Sequence, residues 1–275
     1  MKPAPFDYLK PEAPEEALAA LAADGDSARL LAGGQSLMAM LNMRLAEPAL
    51  LIDIAGLAAL DYVRLDADAV TVGAAVTQGA LERRATLAAE VPLLAQALPW
   101  LGHYQTRNRG TVCGSIAHAD PSAELPLVLV ALGGEVMLRS AKSRRSLAAA
   151  AFFTGMLATS RRADEMVEAV RFPRRRPGTG YAFREVALRH GDFALCAVAA
   201  WASASGLGLA VGGVADRPVA RHFPALEGGA LDDALNEFAW ALGGSDDAHA
   251  SARYRRSLVR KLGRAALEEA KWRRG

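Results

Sequence analysis

Two glycine-bearing segments carry the residues best suited to chemistry. The first runs Leu30-Leu31-Ala32-Gly33-Gly34-Gln35-Ser36-Leu37, an apolar stretch that turns through paired glycines into small polar residues. Glycines let backbone N–H groups approach an anion without a Cβ in the way, and the start of a helix adds its positive dipole end. The pattern therefore predicts a pyrophosphate cradle. The alternative is an ordinary strand–turn–helix unit in which the Gly-Gly pair only forms the turn.

The second segment extends from Arg107 to Pro126 and reads RNRGTVCGSIAHADPSAELP. Its part from Thr111 to Ser115 offers hydroxyls and backbone N–H groups to phosphate or sugar-alcohol oxygens. Asp120 and Glu124 offer carboxylate acceptors for sugar-like hydroxyls. The segment indicates a binding site for a phosphorylated polyol, and a polar connecting loop is the alternative.

Other chemistries find less support in the residue types. Cys113 and Cys196 are the two cysteines; they form no Cys-x-x-Cys pair, which excludes a disulfide framework and leaves too few thiolates for an iron–sulfur cluster. The five histidines show no metal-ligand spacing, and we predict no bound metal in this chain. His103 and His118 flank the second segment, where a histidine can tune a redox group, relay a proton or simply pack.

The composition is that of a globular protein with little net charge. With 52% hydrophobic residues, the 275 positions can bury one large core or two to three subdomains. A formal charge of +2 gives no field suited to nucleic acid. The apolar runs fall short of the roughly 20 residues of a membrane span, and the start Met1-Lys2-Pro3 lacks the features of a secretory signal. We expect a cytoplasmic protein with no transmembrane segment and no nucleic-acid partner.

The elements that must position the two segments follow from hydrophobic periodicity. In the first region we predict strands at 29–32, 50–54, 135–139 and 166–172, a hairpin across 62–76 with Thr77 capping the next helix, and helices at 36–45 and 86–98. The run 173–178, Pro-Arg-Arg-Arg-Pro-Gly, interrupts every pattern and marks a domain boundary. Its arginines suit either a solvated linker or contact with an acidic partner. Beyond it we predict strands at 181–188, 193–202 and 207–214, and two helices, the last at 251–272.

Taken together, the two segments resemble the flavoprotein subunits of the xanthine dehydrogenase and carbon monoxide dehydrogenase family of molybdenum hydroxylases. The resemblance covers nearly the whole chain, with further matches in order at 152–155, 164–173, 191–194, 212–214 and 250–256. It implies an α+β fold: a two-subdomain FAD-binding fold of the PCMH/vanillyl-alcohol-oxidase type, followed by a smaller α+β C-terminal domain. The implied domains are 1–175, with subdomains of about 1–56 and 57–175, and 176–275.

The resemblance also implies a set of FAD-binding residues and no catalytic residue, since a flavin performs its own redox chemistry. Ala32 to Ser36 and Thr111 to Ser115 are expected to wrap the pyrophosphate and ribityl, and Glu124 to bind a polyol hydroxyl. Arg184 matches a basic position close to the flavin. The complete implied set is Leu30, Leu31, Ala32, Gly33, Gly34, Gln35, Ser36, Leu37, Gly102, Thr111, Cys113, Gly114, Ser115, Asp120, Glu124, Arg184 and Phe193, of which Gly102 and Phe193 lie along the ring system.

Two features depart from the family pattern. Cys113 stands where the family usually has a second glycine, which implies either a negative φ there or a shifted local contact. Arg161 and Arg162 stand where the family often has apolar residues near the flavin. That edge of the site is therefore undetermined by the resemblance.

Partners and electron flow are implied in the same way. FAD is expected to be non-covalent, because the segment 32–37 holds neither His nor Cys. Electrons would pass from a molybdenum cofactor in a large subunit, through [2Fe–2S] clusters in a small subunit, to this FAD and then to NAD, oxygen, a quinone or another acceptor. The molybdenum cofactor and the clusters are expected only in those partners, in a dimer of heterotrimers. Alternatives are a stand-alone FAD-dependent oxidase or dehydrogenase and a degenerate flavin-binding scaffold.

Overall fold

The computed structural model describes residues 2–274. The chain begins with a small parallel sheet and two helices: β1 (Asp7–Leu9), α1 (Pro14–Asp24), β2 (Ala28–Leu31), α2 (Leu37–Asn42) and β3 (Leu50–Asp53). β3 lies between β1 and β2, and both pairings are parallel. α1 buries Ala17, Leu18 and Leu21 as one apolar stripe against this sheet. β2 ends within the first glycine segment, just before Ala32, Gly33 and Gly34.

A five-stranded antiparallel sheet and a group of short helices form the next region. The helices are α3 (Gln78–Glu82), α4 (Leu87–Glu90), α5 (Pro92–Ala97), α6 (Tyr104–Arg107), α7 (Val112–His118), α8 (Glu124–Leu132) and α9 (Ala149–Phe152). The strands are β4 (Val63–Leu65), β5 (Ala69–Gly73), β6 (Glu135–Arg139), β7 (Arg144–Ala148), β8 (Phe153–Gly155), β9 (Ala158–Thr159) and β10 (Met166–Pro173). The sheet order is β4-β5-β10-β6-β7, while β8 and β9 form a separate hairpin. α7 packs on β10 and β5, which fixes the second glycine segment to this sheet.

The C-terminal part is an antiparallel meander with two helices. It comprises β11 (Gly180–Val186), β12 (Cys196–Ser203), β13 (Gly206–Gly212), β14 (Val219–Phe223), α10 (Gly228–Ala241) and α11 (Ala252–Trp272). β12 and β13 are buried on both faces. On one face of these strands, Ala197, Ala199 and Ala210 join the hydrophobic core of the preceding region. α8 packs on this face, and the small alanine side chains let the helix approach the strands closely. The opposite face packs under α10 and α11.

Most predicted elements of the first region are confirmed, including the hairpin and the Thr77 cap, whose side chain accepts from the Ala80 N–H. The single helix predicted at 86–98 is wrong. It is divided into α4 and α5 at Val91, whose φ of −137° and ψ of 76° are non-helical. The cause is Pro92, because the ring of a proline disfavours a helical conformation in the residue before it.

Other differences concern length and content. The helix predicted at 36–45 spans only Leu37–Asn42, and the strands predicted at 181–188 and 193–202 are Gly180–Val186 and Cys196–Ser203. The second glycine segment follows α6 and contains α7 and the start of α8, so much of it is helical. Within residues 2–274, no helix combines the length and the apolar character that crossing a membrane requires.

Candidate functional site

A cavity of about 1310 Å³ runs between the two glycine segments, the β8–β9 hairpin and the C-terminal part. Single small-molecule sites typically measure about 300–1,000 Å³, so this cavity suits a long ligand. Its walls include most of the implied binding residues: Leu30, Ala32, Gly33, Gly34, Gln35, Ser36, Leu37, Gly102, Thr111, Cys113, Gly114, Ser115, Asp120, Glu124 and Phe193. The structure thus brings together residues that are far apart in the sequence.

The two glycine segments touch each other at Gly33. A Cβ added to Gly33 would lie 2.2 Å from the Arg109 carbonyl oxygen and 2.5 Å from the Gly110 Cα. Gly34 follows with a φ of +70°, in the left-handed region that favours glycine. Only a residue without a side chain permits this contact, which holds the start of α2 beside the start of α7.

Thr111 organises the start of α7. Its Oγ1 accepts a hydrogen bond from the Gly114 N–H at 3.0 Å, and the Val112 N–H donates to the Val76 carbonyl at 3.1 Å. The first N–H groups of a helix have no partner within the helix. Gly114 and Ser115 also line the cavity, so this turn presents small polar groups and a helix start to a ligand.

Cys113 is among the residues that line the cavity, but its thiol faces the protein core. It is a helical residue with a negative φ, and its thiol donates to the Val72 carbonyl at 3.4 Å. Burial raises the pKa of this thiol well above its usual range, so it stays protonated. The departure from the family glycine therefore leaves the backbone of the turn helical.

Two acids lie at the start of α8. Asp120 Oδ1 accepts from the Ser122 N–H at 2.8 Å and orders the turn that follows Ala119. Glu124 is the first residue of α8 and is only 6% exposed. Burial raises the pKa of Glu124 to about 7, and the charge of Asp120 adds to this effect. Both residues line the cavity, and a carboxylate there is suited to accept hydrogen bonds from ligand hydroxyls.

Arg161, whose place in the site the resemblance left undetermined, forms another wall of the cavity. Arg161 lines the cavity together with Arg29, and its Nη1 donates to the carbonyls of Arg162 and Glu165, both at 2.8 Å. Burial, and then the positive charge of Arg29, lower the pKa of Arg161. Arg162 is not among the lining residues; its backbone N–H donates to Glu165 Oε2 at 2.8 Å. Of the two arginines that depart from the family pattern, only Arg161 reaches the site.

The C-terminal part closes the cavity through a buried arginine. Arg255 Nη1 donates to the carbonyls of Leu195 at 2.8 Å and Gly213 at 2.6 Å, and its Nη2 binds Asp247 at 2.5 Å. The Gly213 N–H in turn donates to the carbonyl of Pro121, which belongs to the second glycine segment. Arg255 lines the cavity and was missed as a site residue, although the match at 250–256 contains it.

Exposed apolar side chains surround the opening of the cavity. The four that both line it and remain largely exposed are Met156, Leu157, Leu188 and Phe193, with Phe193 71% exposed. Leu157 also has a φ of +54°, held by its N–H donation to the Ala119 carbonyl at 3.1 Å. We call these four residues the apolar rim. His103 and His118 line the cavity as well.

Two of the implied residues lie elsewhere. Leu31 lines a second cavity, of about 390 Å³, on the other side of the first glycine segment with Asp53 and Arg109. Arg184 lies on the face of β11 that meets α11, where it forms an ion pair with Glu269 at 2.8 Å. The structure does not bring Arg184 into the main cavity. Its neighbour Glu185 points to the opposite face because side chains alternate along a strand.

Two buried polar atoms of cavity-lining residues have no hydrogen-bond partner among residues 2–274. Gln78 Oε1 and Arg255 Nε are both buried and unpaired, and both residues line the cavity. Since buried polar groups are normally hydrogen-bonded, these atoms are suited to a ligand. Together with the glycine cradle and the two acids, they fit a molecule with a pyrophosphate, a polyol and an extended ring system.

The fold and the cavity define a class of protein that binds a large phosphate-bearing cofactor between the two glycine segments. Residues 4–175 match the family model described as the FAD binding domain in molybdopterin dehydrogenase. The chain belongs to the molybdenum hydroxylase family as a medium, FAD-binding subunit. Its cofactor is FAD, and it is an oxidoreductase subunit.

Similar proteins include subunits of a caffeine dehydrogenase and of a nicotine 6-hydroxylase, and a solved carbon monoxide dehydrogenase. The chain is 40% identical to the caffeine dehydrogenase subunit beta of Pseudomonas sp. strain CBB1, over 72% of this chain and 68% of that protein. It is 37% identical to the nicotine 6-hydroxylase medium subunit of Paenarthrobacter nicotinovorans, over 98% of this chain and 99% of the relative. The reconstituted CO dehydrogenase from Oligotropha carboxidovorans matches with a TM-score of 0.94 at 30% identity, covering 99% of this chain and 100% of that chain.

Proposed function

We propose that this chain is the electron-transfer subunit of a heterotrimeric molybdenum hydroxylase. Its FAD takes electrons from [2Fe–2S] clusters of a small subunit, and an external acceptor receives them. The molybdenum cofactor belongs to a large subunit, where the organic substrate is oxidised. The observation that carries the proposal is the apolar rim, because exposed apolar side chains at a cofactor cavity suit coverage by a partner that exchanges electrons there.

Different site residues bind different parts of the cofactor. The backbone from Gly33 to Ser36 and the start of α7 hold the pyrophosphate, while Asp120 and Glu124 accept from polyol hydroxyls. Gly102 and Phe193 lie along the ring system. When bound, FAD supplies the redox chemistry, and the protein binds it, orients it and limits its contact with water.

The proposed domains have the bounds that the sequence predicts. We assign residues 1–175 to the FAD-binding domain, with subdomains of about 1–56 and 57–175, and residues 176–275 to the C-terminal domain. Support comes from the end of the family model at residue 175 and from the separate four-stranded sheet that begins at Gly180. A dimer of heterotrimers and a cytoplasmic location stay predictions from the sequence.

Copurification tests the assembly. A tag on this chain should recover two further subunits, with about four iron atoms and one molybdenum atom per FAD if the small subunit holds two [2Fe–2S] clusters. Metal analysis of the gel-filtered complex measures this composition. Recovery of the chain with FAD but without iron or molybdenum would contradict the proposal.

A second experiment separates electron transfer from a stand-alone oxidase. The isolated chain, mixed anaerobically with candidate organic substrates, should leave the flavin oxidised, because substrate oxidation occurs in another subunit. Artificial reductants should bleach it, and an acceptor should restore its absorbance. Rapid bleaching by an organic substrate with no partner present would favour the oxidase, and a flavin that no reductant can bleach would favour a degenerate scaffold.

A further inference from the structure

One end of the main cavity is lined by apolar side chains and a guanidinium. Its walls come from α1, β2, the loop before β10 and the start of β10, and the residues are Leu21, Ala28, Leu30, Arg161, Met166 and Val167. We call this part of the cavity the β2 end. Arg139, the register partner of Met166, forms an ion pair with Glu15 of α1. Because this pair joins the start of β10 to α1, the two regions enclose the β2 end together.

The β2 end extends away from the pyrophosphate cradle. A strand rises about 3.3 Å per residue, so the wall formed by β2 reaches up to roughly 15 Å from Gly33. In the function proposed above, the ring system of FAD lies along Gly102 and Phe193, which belong to other walls of the cavity. The adenosine half of the cofactor is then left for the β2 end. An apolar slot with one polar group suits an aromatic base.

The Arg161 guanidinium is fixed at the β2 end by backbone carbonyls. Its Nη1 donates to the carbonyls of Arg162 and Glu165, both at 2.8 Å, and to that of Ala163 at 3.4 Å. Among residues 2–274 it forms no ion pair, and the nearby Glu165 carboxylate is bound by Arg145 at 2.6 Å. The N–H groups of a guanidinium lie in its plane, so these hydrogen bonds leave its flat faces open to a ring.

A second arginine adds positive charge to the same part of the cavity. Arg29 of β2 lines the cavity, and its Nη1 donates to the carbonyls of Asp26 and Ala28, both at 2.8 Å. In the described part of the chain, neither guanidinium is paired with a carboxylate; Asp26 and Asp164 act on Arg161 only through space. A guanidinium that is largely removed from water is attracted to the π face of an aromatic ring.

We propose that Arg161 is a specificity-determining residue for the cofactor, with its guanidinium stacked on the adenine of FAD at the β2 end. The inference rests on the proposed function, because that function assigns the ring system to the other walls. Arg161 stands where the family often has an apolar residue. An apolar side chain covers a base by contact alone, whereas a guanidinium adds electrostatic attraction to the ring. This chain therefore distinguishes one base from another more strongly than it would with an apolar residue at position 161.

The stacking predicts both the size of the effect and its dependence on the base. Removal of one cation–π contact should weaken FAD binding about 2- to 30-fold. ADP carries the adenine, and UDP carries a pyrimidine with a smaller ring face. The two nucleotides have the same ribose and diphosphate, so the ratio of their affinities separates the base from the pyrophosphate cradle.

Calorimetric titration of the full chain, freed of flavin, measures the binding of FAD, ADP and UDP. Arg161→Leu should weaken FAD and ADP binding and lower the preference for ADP over UDP. Arg162→Leu is the matched control, because Arg162 is exposed and does not line the cavity, and it should behave as wild type. Arg161→Lys keeps the charge but has no planar face, so it should lose the preference as well. It serves the same comparison if Arg161→Leu does not fold.

The outcomes separate the inference from the function on which it rests. Equal losses of ADP and UDP affinity in Arg161→Leu would mean that Arg161 only supports its loop, and would overturn the stacking. Wild-type FAD affinity in Arg161→Leu, a wild-type preference for ADP in Arg161→Lys, or no binding of ADP by the wild type would overturn it too. In each case a wild type that binds FAD leaves the FAD site standing. Failure of the wild type to bind FAD would overturn the proposed function itself.

Discussion

Replacing Gly33 by alanine should separate the two glycine segments and remove FAD binding. Its φ lies outside the left-handed region, so the backbone itself tolerates alanine. The obstacle is the added Cβ, at 2.2 Å from the Arg109 carbonyl oxygen and 2.5 Å from the Gly110 Cα. Non-bonded heavy atoms prefer separations of about 3.5–4.0 Å, which requires the segments to move apart by roughly 1 Å. In the function proposed above, both segments contribute to the same pyrophosphate cradle, so we expect one of them to lose its contacts.

The expected loss can be given a magnitude. A displacement of about 1 Å in a positioned site is worth on the order of 100-fold, or about 2.7 kcal/mol of binding free energy. Overpacking of this kind costs a further 1–3 kcal/mol, approximately, of folding stability. We therefore expect a folded chain with a lowered melting temperature that is purified largely without flavin.

The assay compares FAD content and Kd, by absorbance and by flavin fluorescence, in Gly33→Ala and a matched control. Gly229→Ala is the control, because an added Cβ there meets nothing within 4 Å and the residue lies in α10. It should bind FAD as wild type does and gain about 0.4–1 kcal/mol of stability. Wild-type FAD affinity in Gly33→Ala, with the melting temperature unchanged, would refute the reading of this contact.

Three further predictions concern the cofactor, the glycine cradle and the buried acid. Acid precipitation should leave a colourless pellet and a yellow supernatant, and flavin retained in the pellet would disprove non-covalent binding. Gly34→Leu should lose FAD, because leucine is strained at the φ of +70° that Gly34 adopts. Cys113→Gly should keep FAD but lose about 1 kcal/mol of folding stability, because it places a glycine in a helix. Equal FAD occupancy of the wild type and Gly34→Leu would contradict the pyrophosphate cradle. The pKa of Glu185 rises from 4.5 to about 8 on folding, so the native chain binds more protons than the unfolded chain in this window, and its stability falls as the pH rises. Denaturation at pH 5 and pH 9 should show that Glu185→Gln lessens this fall, and identical pH dependence in both chains would count against a buried, titrating Glu185.

The chemistry of the two glycine segments could be predicted because it is local. A Gly-Gly turn before small polar residues, a threonine before a helix and alternating apolar residues act over a few positions. These signals located β2, β5 and the Thr77 cap, and the ordered matches along the chain indicated the family. Pro92 was also a local signal that the helix breaks. The prediction of one helix at 86–98 followed the hydrophobic periodicity instead.

The faces of the strands were decided by tertiary structure alone. Leu31 and Arg184 lie at positions that the resemblance assigns to the cofactor, yet side chains alternate along a strand, and the packing of the sheet determines which set meets the cavity. The same alternation buries Glu185 on the opposite face of β11, while Arg184 pairs with Glu269 of α11.

The sequence by itself determined which backbone segments can approach a phosphate, because that ability depends on the absence of a Cβ and on the start of a helix. The tertiary structure decided that Arg161, Gln78 and Arg255 share one cavity with them. These residues come from three separate parts of the chain, and the burial and unpaired atoms of Gln78 and Arg255 arise only when those parts pack together. An ionisable group acquires its pKa, and an amide its hydrogen-bond partners, from neighbours in space. The order of residues along the chain does not specify those neighbours.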